Sequence, residues 1–576
     1  MAQATLFPQI RIMVIAIFAW LSVHGVAYPH EATLEPFSSS MPEHLRARIE
    51  TAGLRRATMR GEVFLALSSL ARFYERRAYQ PVWICDEGLL PHADALVHWI
   101  RQVEYEGIRP SNDYLSRIEA LTVELRRHGT PEFMQTHRSW VDLELLLTDA
   151  FFTYGAHLLT GQIDPHELKE VWLADRPEID LTTALQQALE TNHIAEFLHD
   201  LRPVHAGYAG LRKALTDYHT IAAKGGWPAI ADGPKLQRGD RGPRVAALRK
   251  RLMVTRDLEP ASDGQDGDVF DAALERGLQR FQERHGLDAD GVVGASTSLA
   301  LNVPVEARIR QIKLNMERWR WLPRELGDRY ILVNIANFAL DVIEHGQSAL
   351  TMRVVVGKPA RRTPFLSATM AHLVLSPHWY VPPTIAIQDK LPLIRRDPGY
   401  AARQNLGIFR EGAAGATRVD PMSINWSSVS ARHFPFKLRQ DPGPRNALGR
   451  VKFMFPNPYH VYLHDTPSRE LFAEAERAFS SGCIRLEKPI ELAEYLLKDD
   501  PRWTRQRMLT IIEKRTEQIV SLPTPLPVYL LYWTAWVSEG EILHFRKDIY
   551  ERDKILEKEL LEVFPSMKRR DNAEMQ

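Results

Sequence analysis

The sequence predicts a multidomain α+β chain, and three observations carry that prediction. Apolar residues recur at helical spacing from about Ser40 to Gly225, and the period switches to two from Tyr330 onward. Between these regimes lies a short segment punctuated by glycines. The length, 576 residues, suits three or four domains at roughly 150 residues each.

The elements follow in chain order. Arg11 precedes an uncharged apolar stretch from Ile12 to Val26, closing on Gly25-Val26-Ala27 before Tyr28-Pro29. That run is short for a membrane span and ends in small residues, so residues 1–27 read as a secretory signal or, uncleaved, as an N-terminal anchor. Either way the bulk of the chain is expected outside the cytoplasm. A helical unit is predicted over 40–225. Leu65, Leu67, Leu70, Phe73 and Tyr74 make one apolar stripe, and Leu143, Leu146, Leu147, Ala150, Phe151 and Tyr154 make another. Gly107-Ile108-Arg109-Pro110 and Gly161-Gln162-Ile163-Asp164-Pro165 punctuate it.

A second unit is predicted over 236–302. Asp240 is placed to cap the helix carrying Val245, Leu248 and Leu252, and Thr297 is placed to begin a later one. A linking helix with Ile312, Met316 and Trp319 on one face occupies 303–328. The third unit, 329–540, is β-rich: Ile331, Val333 and Ile335 alternate with Tyr330, Leu332 and Asn334, and Val528 to Trp533 reads as a late strand. An insertion at about 385–450, rich in Pro and Arg, interrupts it. Its aromatics Trp426, Phe434 and Phe436 are expected to stabilise the insertion itself. Residues 541–576 read as a charged tail.

Lys+Arg number 73 against 72 for Asp+Glu, so nucleic-acid binding has no electrostatic support. The chain has two cysteines. Cys85 lies in the apolar run Pro81-Val82-Trp83-Ile84 and reads as packing. Cys483 lies in Ser480-Ser481-Gly482-Cys483-Ile484-Arg485, a small-residue turn with an arginine two places on. A thiol needs a base or a positive environment to become the nucleophilic thiolate. His464, in Val461-Tyr462-Leu463-His464-Asp465-Thr466-Pro467, is the base at hand, and Gly482 lets the backbone approach a carbonyl closely. His before Cys disfavours the papain order. His460 and His464, four apart, raise a zinc site, but the residues between them alternate as a strand and no Glu follows His460, so no metal is expected. On such a strand His460, Tyr462 and His464 share a face. The residues alone thus point to a His-assisted thiol acyl transferase or hydrolase without a cofactor.

The spacing of His464 and Cys483 and the Ser-x-Gly-Cys-x-Arg run resemble the signature of the L,D-transpeptidases with a YkuD-type catalytic domain. The stretch Pro442-Gly443-Pro444-Arg445-Asn446-Ala447-Leu448-Gly449-Arg450-Val451-Lys452-Phe453, with Pro456-Asn457, resembles the large periplasmic branch of that family. Ser481 and Asp465 depart from the common Ser-His-Gly-Cys and His-Gly pairs. Phe281-Gln282, Gly286-Leu287 and Asp290-Gly291-x-x-Gly294-x-x-Thr297 resemble the small three-helix peptidoglycan-binding domain. The resemblance implies a helical scaffold domain, a peptidoglycan-binding domain that grips glycan or serves as a spacer, and a mixed β-rich catalytic domain whose insertion caps the cleft. It implies Cys483 as nucleophile and His464 as base, acting on the tetrapeptide stems of peptidoglycan in the periplasm. Tyr462 and the backbone at Gly482 and Cys483 would serve the oxyanion; Arg485 would hold a stem carboxylate or orient the cysteine loop. Ser480 and Ser481 are the candidates for an orienting residue. Cross-linking of two diaminopimelate residues is the implied reaction. Attachment or hydrolysis of a lipoprotein link on the same site, or a non-enzymatic wall-binding scaffold, are the alternatives. Carbapenem sensitivity and association with other cell-wall synthesis enzymes are further implications.

Overall fold

The computed structural model describes residues 37–563, except 55–57, 60–61, 64–65, 86, 110–111, 129–133, 167, 169–178, 260–266 and 413–414. The expected signal or anchor at 1–27 lies outside the described residues. Among the described residues no helix is long and apolar enough to cross a membrane.

Four hydrophobic cores organise the described residues. The first belongs to a helical unit built around the long helix Met134–Thr160, whose Leu143, Leu146, Leu147, Ala150, Phe151 and Tyr154 are all buried. Leu70, Phe73 and Tyr74 of Leu67–Arg76 pack into the same core. Leu65, assigned to that stripe, lies outside the described residues.

The second core is small and lies between helices Pro243–Val254, Ala272–Arg284 and Ala295–Leu301, with Val245, Leu248, Leu274, Phe281 and Leu301 inside. Two expected caps are corrected here. Gly242 takes the N-cap before Pro243, while the Asp240 carboxylate accepts from Gln237 N instead. Thr297 lies inside its helix, buried, and its hydroxyl accepts from Gln282 Nε2 (3.2 Å); Gly294 precedes the helix. Proline at the first turn and glycine before it leave no need for a carboxylate cap.

The third and largest core lies beneath nine strands in the order 478–480, 347–357, 484–486, 463–464, 451–454, 366–375, 518–531, 329–334, 339–344. Strand Gln347–Gly357 pairs with Ala339–Glu344 over its first half and with Ile484–Leu486 near its end, so the sheet closes on itself. Gln518–Leu531, which contains most of the expected late strand, is a single strand with a register break between Ser521 and Leu526.

Among the helices that share this core are two that precede the sheet in the chain, which moves two boundaries. Ala206–Ala223, read as the end of the helical unit, packs along Val305–Arg320 and contributes Leu211 and Leu215 to the core beneath the sheet. The linking helix Val305–Arg320 is itself buried, with Asn315, Glu317 and Arg320 solvent-free. Glu317 pairs with Arg320 (2.9 Å) and accepts from the amides of Gln162 (2.6 Å) and Ile163 (3.0 Å). Gly161, in the left-handed region at φ +89°, lies so close to this carboxylate that a Cβ would fall 2.5 Å from its oxygen. This buried pair, which also binds two backbone amides of the helical unit, ties that unit to the β-rich one.

The charged tail expected over 541–576 is corrected for 541–563; residues 564–576 lie outside the described residues. Ile542–Phe545 pairs with Ala535–Ser538, and helix Arg552–Val563 follows. Phe545, Tyr550 and Leu556 are buried, and Asp553 pairs with Arg318 (2.6 Å) and accepts from Thr534 Oγ1 (2.7 Å). Phe545, Ile549, Tyr550 and Leu556, set among charged residues, dock the segment, a pattern too sparse to register as periodicity.

The fourth core belongs to the insertion. Strands 379–380, 406–412, 415–419 and 436–440 form an antiparallel sheet with Trp379, Ile394, Ile408, Trp426, Phe436 and Leu438 packed on it. The unit thus begins at Trp379, ahead of the expected 385, and its aromatics serve its own core.

Candidate active site

The site is laid out by register. Strand Val451–Met454 pairs antiparallel with Leu463–His464, placing Lys452 opposite His464. Leu463–His464 runs parallel to Ile484–Leu486, placing His464 beside Arg485. Side chains of paired residues share a face and alternate along each strand. Lys452, His464 and Arg485 therefore lie on one face, joined by Tyr462 two residues before His464 and Cys483 two before Arg485. The Tyr462 and His464 rings lie 5.7 Å apart, edge to face.

Cys483 is half-buried at the end of a turn formed by Ser481, Gly482 and Cys483. Gly482 stands at φ +115°, a conformation that suits glycine alone. Thr363 Oγ1 donates to Gly482 O (2.9 Å) and accepts from Gly357 N (2.9 Å). The Tyr550 hydroxyl donates to Gly357 O (2.5 Å) and accepts from Thr363 N (3.2 Å). The cysteine turn therefore rests on a second turn, 357–363, which the C-terminal segment supports from behind.

Ser480 and Ser481 do not touch the imidazole, which corrects their expected orienting role. Ser480 Oγ donates to Cys483 O (2.5 Å) and accepts from Gly482 N (3.1 Å), holding the turn closed. That bond also occupies the Gly482 amide, so Gly482 shapes the turn and does not serve an oxyanion. Ser481 is exposed and its hydroxyl accepts from Arg361 (2.9 Å).

His464 is buried, and its Nδ1 lies 2.5 Å from the main-chain oxygen of Asp465. A carbonyl only accepts, so Nδ1 carries the proton and Nε2 is left with its lone pair. The Asp465 carboxylate accepts from Arg450 N and Nε (2.9 Å each), pinning the residue whose carbonyl orients the ring. Gly449, at φ +62°, leaves the space this carboxylate fills. Asp465, noted in sequence only as a departure, thus acts through its backbone. Burial, then the neighbouring Arg485, pushes the imidazole down to about 3, so it is neutral at rest.

The Tyr462 main-chain N–H and hydroxyl both face the Cys483 sulfur. Burial raises the thiol; these two donors and the cations Lys452 and Arg485 oppose the rise by favouring thiolate. Burial and the neighbouring sulfur also raise the Tyr462 phenol, keeping it a proton donor. Tyr462 packs on the far side against the insertion's core, so that unit borders the site. Arg485 is half-buried, and its guanidinium makes no hydrogen bond among the described residues.

His460 is exposed, in a turn at φ +53°, and not on a strand with His464. Asn457 builds that turn by accepting from Tyr459 N and Val461 N (3.2 Å each). Among the described residues no group of three or more His, Cys, Asp and Glu is placed to hold a metal ion. Lys452 and Arg361 were not singled out as site residues from sequence. The signal for Lys452 was its place in an otherwise apolar strand, Val451-Lys452-Phe453-Met454.

Residues 68–215 match the family model described as "Scaffold domain", 241–301 "Putative peptidoglycan binding domain", and 328–507 "L,D-transpeptidase catalytic domain". A Haemophilus influenzae protein described as "Putative L,D-transpeptidase" is 37% identical over 261 residues, covering 45% of this chain and 51% of that protein. The chain thus spans about half of that relative's length. The "N-acetylmuramoyl-L-alanine amidase CwlM" of Mycobacterium tuberculosis is 35% identical over 80 residues, 13% of this chain and 20% of that protein. Among solved structures, an L,D-transpeptidase of Xylanimonas cellulosilytica is 15% identical over 52% of this chain and 99% of that one, with a TM-score of 0.16, too low to bear on the fold.

Proposed function

Since this chain carries a YkuD-type L,D-transpeptidase catalytic domain behind a scaffold and a peptidoglycan-binding domain, we propose that it cross-links peptidoglycan stems through a thioester on Cys483. His464 Nε2 takes the thiol proton and the sulfur attacks the diaminopimelate carbonyl of a donor tetrapeptide stem. The C–S bond forms, the amide bond to terminal D-alanine breaks, and the imidazolium returns its proton to the leaving amine. A second stem's diaminopimelate amine then attacks the thioester, loses its proton to His464, and releases Cys483. The product joins two diaminopimelate residues directly.

The observation that carries this reading is the fixed tautomer of His464 on the face that bears Cys483. An imidazole whose Nδ1 proton is held by Asp465 O offers Nε2 as its base. The oxyanion falls to the Cys483 amide, which makes no hydrogen bond among the described residues, and to the Tyr462 hydroxyl. One such donor is worth about 10²–10³ in rate. Arg485, a guanidinium with unused donors, takes a stem carboxylate. The insertion at 379–448 caps the cleft, and the reaction takes place in the periplasm.

The test is incubation of the protein with purified tetrapeptide muropeptides, followed by mass spectrometry. Dimers linked between diaminopimelate residues, with equimolar free D-alanine, are expected. Release of D-alanine without dimers, or transfer only to a lipoprotein acceptor, would redirect the reading to the sister reactions on this site.

A further inference from the structure

Lys452 stands out on the catalytic face because nothing in the mechanism above uses it. Its ammonium lies 4.0 Å from the centre of the Tyr462 ring. It is half-buried, and among the described residues no carboxylate forms an ion pair with it. Removing an ammonium from water is costly unless another charge or a π-face compensates. The groups that face it are the Tyr462 ring, the Cys483 sulfur, His464 across the strand pair, Arg485 beyond it and, more distantly, Glu517. Glu517 is engaged elsewhere, accepting from His378 N (2.7 Å) and lying 3.2 Å from His378 Nδ1. Val374, the residue opposite Lys452 on the other neighbouring strand, carries no charge. With Glu517 held by His378, the foremost negative group for a cation in this position is the sulfur once it loses its proton.

The path from cation to sulfur runs through Tyr462. Its ring receives Lys452 on one face, its hydroxyl faces Cys483, and its remaining surface packs on the insertion's core. A positive charge over a phenol withdraws electron density from the ring and makes the O–H a stronger hydrogen-bond donor. Resting on the acyl-transfer reading given above, we propose that Lys452 is a positioning residue that holds the Cys483 thiolate by strengthening the Tyr462 hydroxyl bond to it.

The experiment measures the rate of Cys483 alkylation by iodoacetamide against pH, mapped by peptide mass spectrometry so that Cys85 is read separately. Lys452→Met and Lys452→Gln should slow alkylation at neutral pH about tenfold and move the profile to higher pH, since tenfold is one pKa unit of thiolate population. Lys452→Arg should restore most of the rate. In a Tyr462→Phe background, Lys452→Met should add no further loss. Profiles of both neutral variants that superimpose on wild type would overturn the proposal. So would a loss that persists undiminished in the Tyr462→Phe background, because Lys452 would then act without the hydroxyl. The readout requires no acyl acceptor. Normal alkylation in a protein that makes no cross-links would defeat the function proposed above and leave this inference standing.

Discussion

Arg361 grips Asp389 through both ends of its guanidinium, Nη1 to Oδ2 at 2.5 Å and Nη2 to Oδ1 at 2.8 Å, while Nη1 also reaches Ser481 Oγ at 2.9 Å. Asp389 belongs to the insertion; Ser481 stands two residues before Cys483. One side chain therefore spans the seam between the insertion and the cysteine turn. A two-pronged guanidinium–carboxylate contact sets geometry as well as energy.

Asp389→Asn should loosen the insertion without unfolding it. The pair is partly exposed, so its loss costs about 1 kcal/mol at most. Hydrogen exchange across 386–403 is expected to rise, with the catalytic sheet unchanged. The Arg361 contact holds the Asp389 carboxyl below its usual range. Its stabilising share is therefore complete above the unfolded carboxylate value of about 3.9 and is lost only as pH falls through the lower folded value. Protection in this segment, measured against the exchange rate of an unstructured chain at the same pH, should be flat from neutral pH down to about 4. Exchange unaltered by the substitution would mean that the insertion is held by its apolar contacts alone.

Cys483→Ala should abolish cross-linking and carbapenem acylation together while leaving the melting curve intact. A strained β-lactam carbonyl offered to an activated thiol gives a stable thioester. Intact-protein mass spectrometry is expected to show one added drug mass on wild type and none on the variant. Labelling that moves to Cys85, or survives the substitution, removes Cys483 as the nucleophile.

His464 makes a prediction about acid. Its folded pKa of about 3 lies below the unfolded value of about 6.5. A depressed pKa adds stability that is complete above about 6.5 and is lost as pH falls toward about 3, because the unfolded chain takes up the proton first. Wild-type melting temperature should therefore fall through that window, and His464→Gln should fall less steeply. Turnover should vanish in the variant, and the ascending limb of the wild-type rate profile should report the coupled thiol–imidazole pair. Chelators should have no effect. Inactivation by a chelator, together with stoichiometric zinc in the protein, would overturn the base assignment.

What was legible in the sequence follows from how local each signal is. The nucleophile turn and the histidine strand each fit within about seven residues, the length over which strand alternation and turn chemistry can be read. Tyr462 was placed on the face of His464 by alternation alone. His460 was not, because the turn built by Asn457 ends the strand before reaching it. Gly482 was read for its amide, whereas Ser480 had already claimed that donor. Lys452, Arg361 and Thr363 reach the site through strand register and a second turn, and no pattern within one segment reports such partners. The docked C-terminus escaped for the opposite reason: charges outnumber the few residues that bury.

Thr363→Val tests whether that distant support matters to the thiol. The substitution keeps the shape of the side chain and deletes the hydroxyl that bridges Gly357 N to Gly482 O. Thr363 is fully buried, so both backbone groups lose a partner that water cannot replace. Each such orphan costs about 1–3 kcal/mol, and the melting temperature should drop accordingly. The more telling readout is Cys483 itself. Gly482 holds its left-handed conformation against Thr363, and a turn released from that bond no longer presents the sulfur to the Tyr462 hydroxyl and amide. Alkylation of Cys483 should therefore slow, and Tyr550→Phe, which acts one bond further back through Gly357 O and Thr363 N, should slow it less. A Thr363→Val protein that is less stable but alkylates at the wild-type rate would show that the turn keeps its form without this bridge.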